Sequence, residues 1–135
     1  MSTFNPHDAA RAYAKTATET ASPRELEASL LLKAAAKLQA VREAWGDNPP
    51  GLSEALLYNR RLWIVFIDAV IRDDNKLPVA IRQNVLNLGI FVMGETFSLM
   101  TKPKPEHLTN LIEINRAIAA GLRGPANKQH AQVAA

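Results

Sequence analysis

The sequence contains no cysteine. This excludes a disulfide framework, thiol catalysis and thiolate metal sites, and it fits a reducing compartment. Long hydrophobic runs are also missing. The longest apolar stretches are about ten residues, about half of what a membrane-spanning helix needs. Charge of one sign is barely in excess: sixteen Lys and Arg oppose thirteen Asp and Glu, for a net charge of +3. No cationic run exceeds Arg60-Arg61, so no polybasic footprint for nucleic acid or anionic lipid stands out. The first eight residues, Met1 to Asp8, lack a basic region followed by an apolar one, so they do not read as a signal peptide. A soluble cytoplasmic protein is the expectation.

Catalytic and metal patterns are equally scarce. The three histidines, His7, His107 and His130, have no second ligand residue at metal spacing and read as solvent-exposed. Asp73-Asp74-Asn75 lacks the alternating oxygens and closing Glu of a calcium loop and reads as a helix-ending turn. There is no phosphate-cradling glycine loop and no nucleophile elbow. No enzyme activity, cofactor or metal is expected. No stretch alternates with period two for long enough to propose a strand.

What remains is helical. At 135 residues, 47% hydrophobic and 21% charged, the chain suits one globular domain able to bury roughly two-thirds of its unfolded surface. That domain is expected over residues 1–124, with a disordered tail over 125–135. Asn5-Pro6-His7-Asp8 reads as a helix start. It opens a short helix, about Pro6 to Lys15, with a thin apolar face. The Thr-rich segment from Thr16 to Ala21 reads as a connection. Ser22-Pro23-Arg24-Glu25 is a stronger start, with Glu25 completing a capping box. Leu31, Ala34, Leu38, Val41 and Trp45 then form one stripe, and Gly46 stops the helix.

A third helix is predicted from Ser53 to Asp73. Glu54, Arg61, Asp68 and Arg72 share one narrow face, where Asp68 and Arg72 are spaced to pair. Nearly everything else is apolar, so this helix is expected to be covered on most sides. Asn59 and Arg60 interrupt its apolar arc. They read equally as partner contacts or as caps for a neighbouring helix end.

Pro78 opens a fourth helix running to about Thr101. It carries two stripes. One is Ile81, Val85, Leu88, Val92, Thr96 and Leu99. The other, roughly 140° away on a wheel of 3.6 residues per turn, is Leu86, Ile90, Met93, Phe97 and Met100. The second stripe has two explanations. One is full burial, with this helix at the centre of the bundle. The other is a groove for another protein's amphipathic helix, for which adaptable Met side chains are suited. A fifth helix starts at Pro105-Glu106 and ends at Gly121 and Gly124. Asn115, within its apolar stripe, reads as a core amide with satisfied hydrogen bonds. The fold expected is all-α: an antiparallel bundle of four long helices plus a shorter N-terminal helix.

Several stretches, in this order and spacing, resemble one family. They are Ser22-Pro23-Arg24-Glu25-Leu26-Glu27, Leu57-Tyr58-Asn59-Arg60-Arg61-Leu62-Trp63, Leu77-Pro78 with Ile81-Arg82 and Asn87-Leu88-Gly89, and the run from Leu111 to Leu122. Together they look like the FlaF family of flagellar biosynthesis regulators, across about Tyr13 to Gly124. The resemblance implies a cytoplasmic, non-enzymatic protein required for flagellin production and filament assembly. It would act alongside FlbT, a regulator of flagellin translation, as a flagellin secretion chaperone without metal or cofactor. It supplies no binding residues. Those come from the pattern: Leu86, Ile90, Met93 and Phe97 of the second stripe, with Asn59, Arg60 and Trp63 nearby. The partner expected there is a terminal amphipathic segment of flagellin, with FlbT as a further partner. The alternative is post-transcriptional control of flagellin messenger RNA, directly or through FlbT. Direct binding of RNA predicts a clustered basic face with stacking aromatics, which the sequence does not offer.

Overall fold

The computed structural model describes residues 4–19, 24–75 and 78–123, with side chains at all of these except 13–19 and 24. The proposed capping serine, Ser22, and the tail lie outside them. The chain forms five helices in order: α1 (Pro6–Glu19), α2 (Arg24–Glu43), α3 (Leu52–Ile71), α4 (Val79–Thr101) and α5 (Pro105–Arg123). No strand occurs among the described residues. The fold is the expected all-α antiparallel bundle.

α1 begins as the sequence predicts. The Asn5 side-chain oxygen accepts from the backbone N–H of His7 at 2.9 Å and of Asp8 at 3.3 Å. The helix then continues to Glu19, through the Thr residues expected to form a connection. The threonines each cost only a few tenths of a kcal/mol in a helix. α1 packs on α4 and α5 and buries Ala9 and Ala10, and tertiary packing outweighs propensities of that size.

α5, not α4, holds the centre. It packs against α1, α2 and α4. Leu108, Leu111, Ile112, Ile114, Ile118, Ala119 and Leu122 are all buried, and each large aliphatic side chain contributes roughly 1.5–3 kcal/mol by leaving water. The helix passes through Gly121, which is buried, to Arg123.

α3 lies at the edge, packed mainly on α2 and α4. The expectation that it is covered on most sides is therefore wrong. Its inner face, with Leu56, Trp63, Phe66 and Val70, is buried, while Leu57, Ile64, Val65 and Ile71 face outward. Trp63 and Phe66 meet edge to face, with ring centroids 5.6 Å apart.

The corners are tied by side chains that reach free carbonyls. At the turn between α3 and α4, Arg82 Nε donates to Val70 O at 2.9 Å and Asn75 Nδ2 to Ala69 O at 2.8 Å. Asp68 and Arg72 do not pair as predicted. Arg72 has left the helix and sits at its C-cap with extended backbone, φ −67° and ψ 142°. The α2–α3 turn depends on Gly51, whose φ of +79° lies in the left-handed region. Gly46, predicted to stop α2, follows a helix that has already ended at Glu43.

The α4–α5 corner holds a part-buried acceptor. Glu95 Oε2 receives Asn110 Nδ2 at 2.8 Å and meets His107 Nδ1 at 2.9 Å. His107 is thus half-buried and engaged with a carboxylate, not the free surface histidine expected from its place at a helix start.

Candidate functional site

α3 and α4 run antiparallel, and an open groove lies between the start of α3 and the end of α4. Its volume is about 690 Å³. Ser53, Leu56, Leu57 and Arg60 of α3 face Met93, Thr96, Phe97 and Met100 of α4. The floor is sealed: Leu56 and Thr96 are buried, and the Thr96 hydroxyl is satisfied by Val92 O at 2.8 Å. The rim is apolar and wet. Phe97 is 66% and Met100 68% exposed, and Leu57 is exposed beside them.

The exposed strip extends beyond the groove. Ile64 and Ile71 continue it along α3 at the spacing that keeps residues on one helix face, and Ile90 continues it along α4. Scattered surface hydrophobes are ordinary, but contiguous ones beside a cleft mark a surface built for contact. Arg60 is the one charged residue lining the groove. Among the described residues no carboxylate pairs with it.

The residues predicted to bind a partner separate into three groups. Arg60, Met93 and Phe97 line the groove. Ile90 is exposed on the same strip, and Leu86 is half-buried against the core. Asn59 and Trp63 are elsewhere. Both are buried, and Trp63 Nε1 donates to Asn115 Oδ1 at 3.1 Å while Asn115 Nδ2 donates to Asn59 Oδ1 at 2.7 Å. Side chains shut in the core cannot touch a partner, so Asn59 and Trp63 are corrected to a structural role. They are expected near the second stripe together with Arg60, but Asn59 is turned about 100° from Arg60 along α3, and Asn59 and Trp63 lie on the helix's buried side, four residues apart. Leu57, one turn before Arg60, is the exposed α3 residue that lines the groove beside it. Asn115 is the satisfied core amide that the sequence predicts.

Other chemistry is sparse. Among the described residues no group of three His, Asp or Glu side chains could hold a metal ion. No described helix is long and apolar enough to cross a membrane. The ring of Tyr58 is covered by the ammonium groups of Lys33 and Lys37, 5.7 and 5.1 Å from its centroid. That arrangement holds α2 to α3.

These features define an all-α bundle that carries an open apolar groove along one edge. The chain matches the family described as flagellar protein FlaF over residues 9–122. It belongs to that family and is a flagellar protein. No curated protein and no solved structure matches it.

Proposed function

We propose that this protein is a cytoplasmic flagellin chaperone whose α3–α4 groove takes up an amphipathic helix from one of flagellin's terminal segments. The observation that carries the reading is the groove itself, an open cleft between α3 and α4 walled by Leu57, Met93, Phe97 and Met100. Unpolymerised flagellin has terminal segments that order only in the filament. Their apolar faces need cover until export, and a helix laid in a groove provides it. Ordering the segment on binding opposes affinity, which favours release. The reading through messenger RNA is less well supported. It needs rings free to stack on a clustered basic face, whereas Trp63 is buried, Tyr58 is covered by two lysines, and the exposed ring of Phe97 lies in a groove lined by one cation, Arg60.

The test is a titration with purified monomeric flagellin, repeated with each flagellin terminus deleted and with Phe97→Glu. Saturable binding is expected with a Kd on the order of micromolar, lost with one terminus and lost in a still-helical Phe97→Glu. Absence of binding at flagellin concentrations on the order of tens of micromolar sinks this function and turns the search to FlbT.

A further inference from the structure

Two glycines interrupt α4, and their surroundings are opposite. At Gly89 an added Cβ would stand 2.7 Å from Ile67 Cδ1 and 2.8 Å from Ile67 Cγ1. Its absence lets α3 and α4 approach. At Gly94 an added Cβ would meet nothing within 4 Å. Gly94 is exposed, lies within a continuous helix and has no positive φ. Glycine is the costliest residue in a helix interior after proline. Within the free protein no contact returns that cost.

Gly94 sits four residues after Ile90 and three before Phe97, so the three share one face of α4; it is not among the groove's lining residues and lies just beyond the Phe97 rim. Ile90 is 70% exposed and Phe97 66%. Two apolar knobs therefore flank a stretch of bare backbone. This is the relief that allows two helices to cross closely, with a side chain of one seated over the glycine of the other. Arg60 adds a second constraint. It is a groove-lining cation without a carboxylate partner among the described residues. Arg60 is exposed at the groove's edge, where its guanidinium is complementary in charge and fork geometry to a carboxylate. The strip on α3 from Leu57 to Ile71 is about 21 Å long at 1.5 Å per residue, the length of a helix of roughly fourteen residues.

We propose that the occupant of the groove is an amphipathic helix that passes over the Phe97 rim, crosses α4 at Gly94 in close backbone approach and sets a carboxylate against Arg60. The inference rests on the chaperone reading for the identity of the partner. It adds the chemistry of recognition: an acidic residue at the edge of the bound apolar stripe, registered against a glycine notch.

The experiment titrates the full chain with two synthetic amphipathic helical peptides that differ at one edge position, Glu or Lys, and separately with monomeric flagellin. Wild type, Gly94→Ala, Arg60→Glu and Phe97→Glu are compared, each with a thermal melt. The Glu peptide is expected to bind roughly tenfold more tightly than the Lys peptide, with the preference reversed in Arg60→Glu. Gly94→Ala is expected to raise the melting temperature by roughly 2–5 °C. It is also expected to weaken peptide binding about tenfold, because the methyl overpacks a close crossing. A variant that is more stable yet binds worse cannot owe its defect to unfolding. If Gly94→Ala binds like wild type while Phe97→Glu fails to bind, the groove stands and the close crossing is overturned. Loss of the Glu preference overturns the role of Arg60, and failure of both peptides to bind overturns the whole inference. If the peptides behave as expected and flagellin does not bind, the recognition chemistry stands and the flagellin assignment falls. Wild type sedimenting as a dimer, with Phe97→Glu a monomer, gives the groove to a second copy and overturns the inference.

Discussion

Asn115 joins α5 to α3 by two buried hydrogen bonds, and their direction is fixed. The Trp63 indole can only donate, so Asn115 must present its oxygen to Trp63 and its NH2 to Asn59. Asn59 then points its own NH2 away, where it has no partner among the described residues. Asn115→Ala strands the indole N–H and the Asn59 oxygen together. It is expected to lower stability by about 2–4 kcal/mol in urea unfolding, more than an exposed Asn→Ala change. Glu27 is a second residue in an uneasy place. One carboxylate oxygen is buried without a partner among the described residues, and burial raises its pKa above the usual 4.5. A raised pKa means that the folded state holds a proton the unfolded chain has already released. Stability from this group is full below pH 4.5 and is lost as pH rises through the folded value. Glu27→Gln is therefore expected to raise the melting temperature at pH 7, with the gain shrinking toward pH 4. At this scale the sequence was half legible. An amide inside an apolar stripe announced Asn115 as a core group. Its partner Asn59 lies 56 residues away, and helical periodicity carries no information about pairing over that distance.

At the scale of the element, the helices were legible because their apolar spacing and proline breaks are strong local signals. Their ends and their neighbours were less so. α1 outruns its threonines because α4 and α5 hold it, and α3 is left bare on its outer side because it packs mainly on α2 and α4 and meets α5 along its inner face. Both outcomes depend on packing order, which hydrophobic spacing does not encode. Two glycines test the elements directly. Gly51→Ala forces a left-handed backbone on a residue with a Cβ, at a cost of about 1–2 kcal/mol. The nearest side-chain atom, Val41 Cγ2, would be an ordinary 3.8 Å away, so the loss measures backbone strain alone. At Gly89 the helix gains from alanine, but the new methyl collides with Ile67. Gly89→Ala is expected to be net destabilising by about 1 kcal/mol, and the change to recover when Ile67 is also shortened to Ala. Additive losses in that double variant would show that the α3–α4 approach is not set at this pair.

At the scale of the whole molecule, the candidate groove was partly visible as the second stripe of α4. The sequence could not choose between a buried centre and an open face, since both need the same apolar residues. The choice was made by α5, which takes the centre and leaves α4 free to show Ile90, Phe97 and Met100. Amide exchange should report the same hierarchy. The slowest-exchanging amides are expected in the middle of α5, around Leu111 to Ile118, and those of α3 are expected to open at lower free energy. Equal protection across the two helices would contradict an edge position for α3.

The place of α5 in the bundle also has a consequence for how the chain is made. The helix that α1, α2 and α4 close around is the last of the five to be synthesised. A ribosome adds roughly 5–20 residues per second, so four helices wait with uncovered faces until Pro105–Arg123 emerges. A chain stopped before Pro105 is not a shorter version of this protein. It lacks the helix on which α1 and α2 both pack, leaves their inner faces uncovered, and is expected to be an early target for proteolysis.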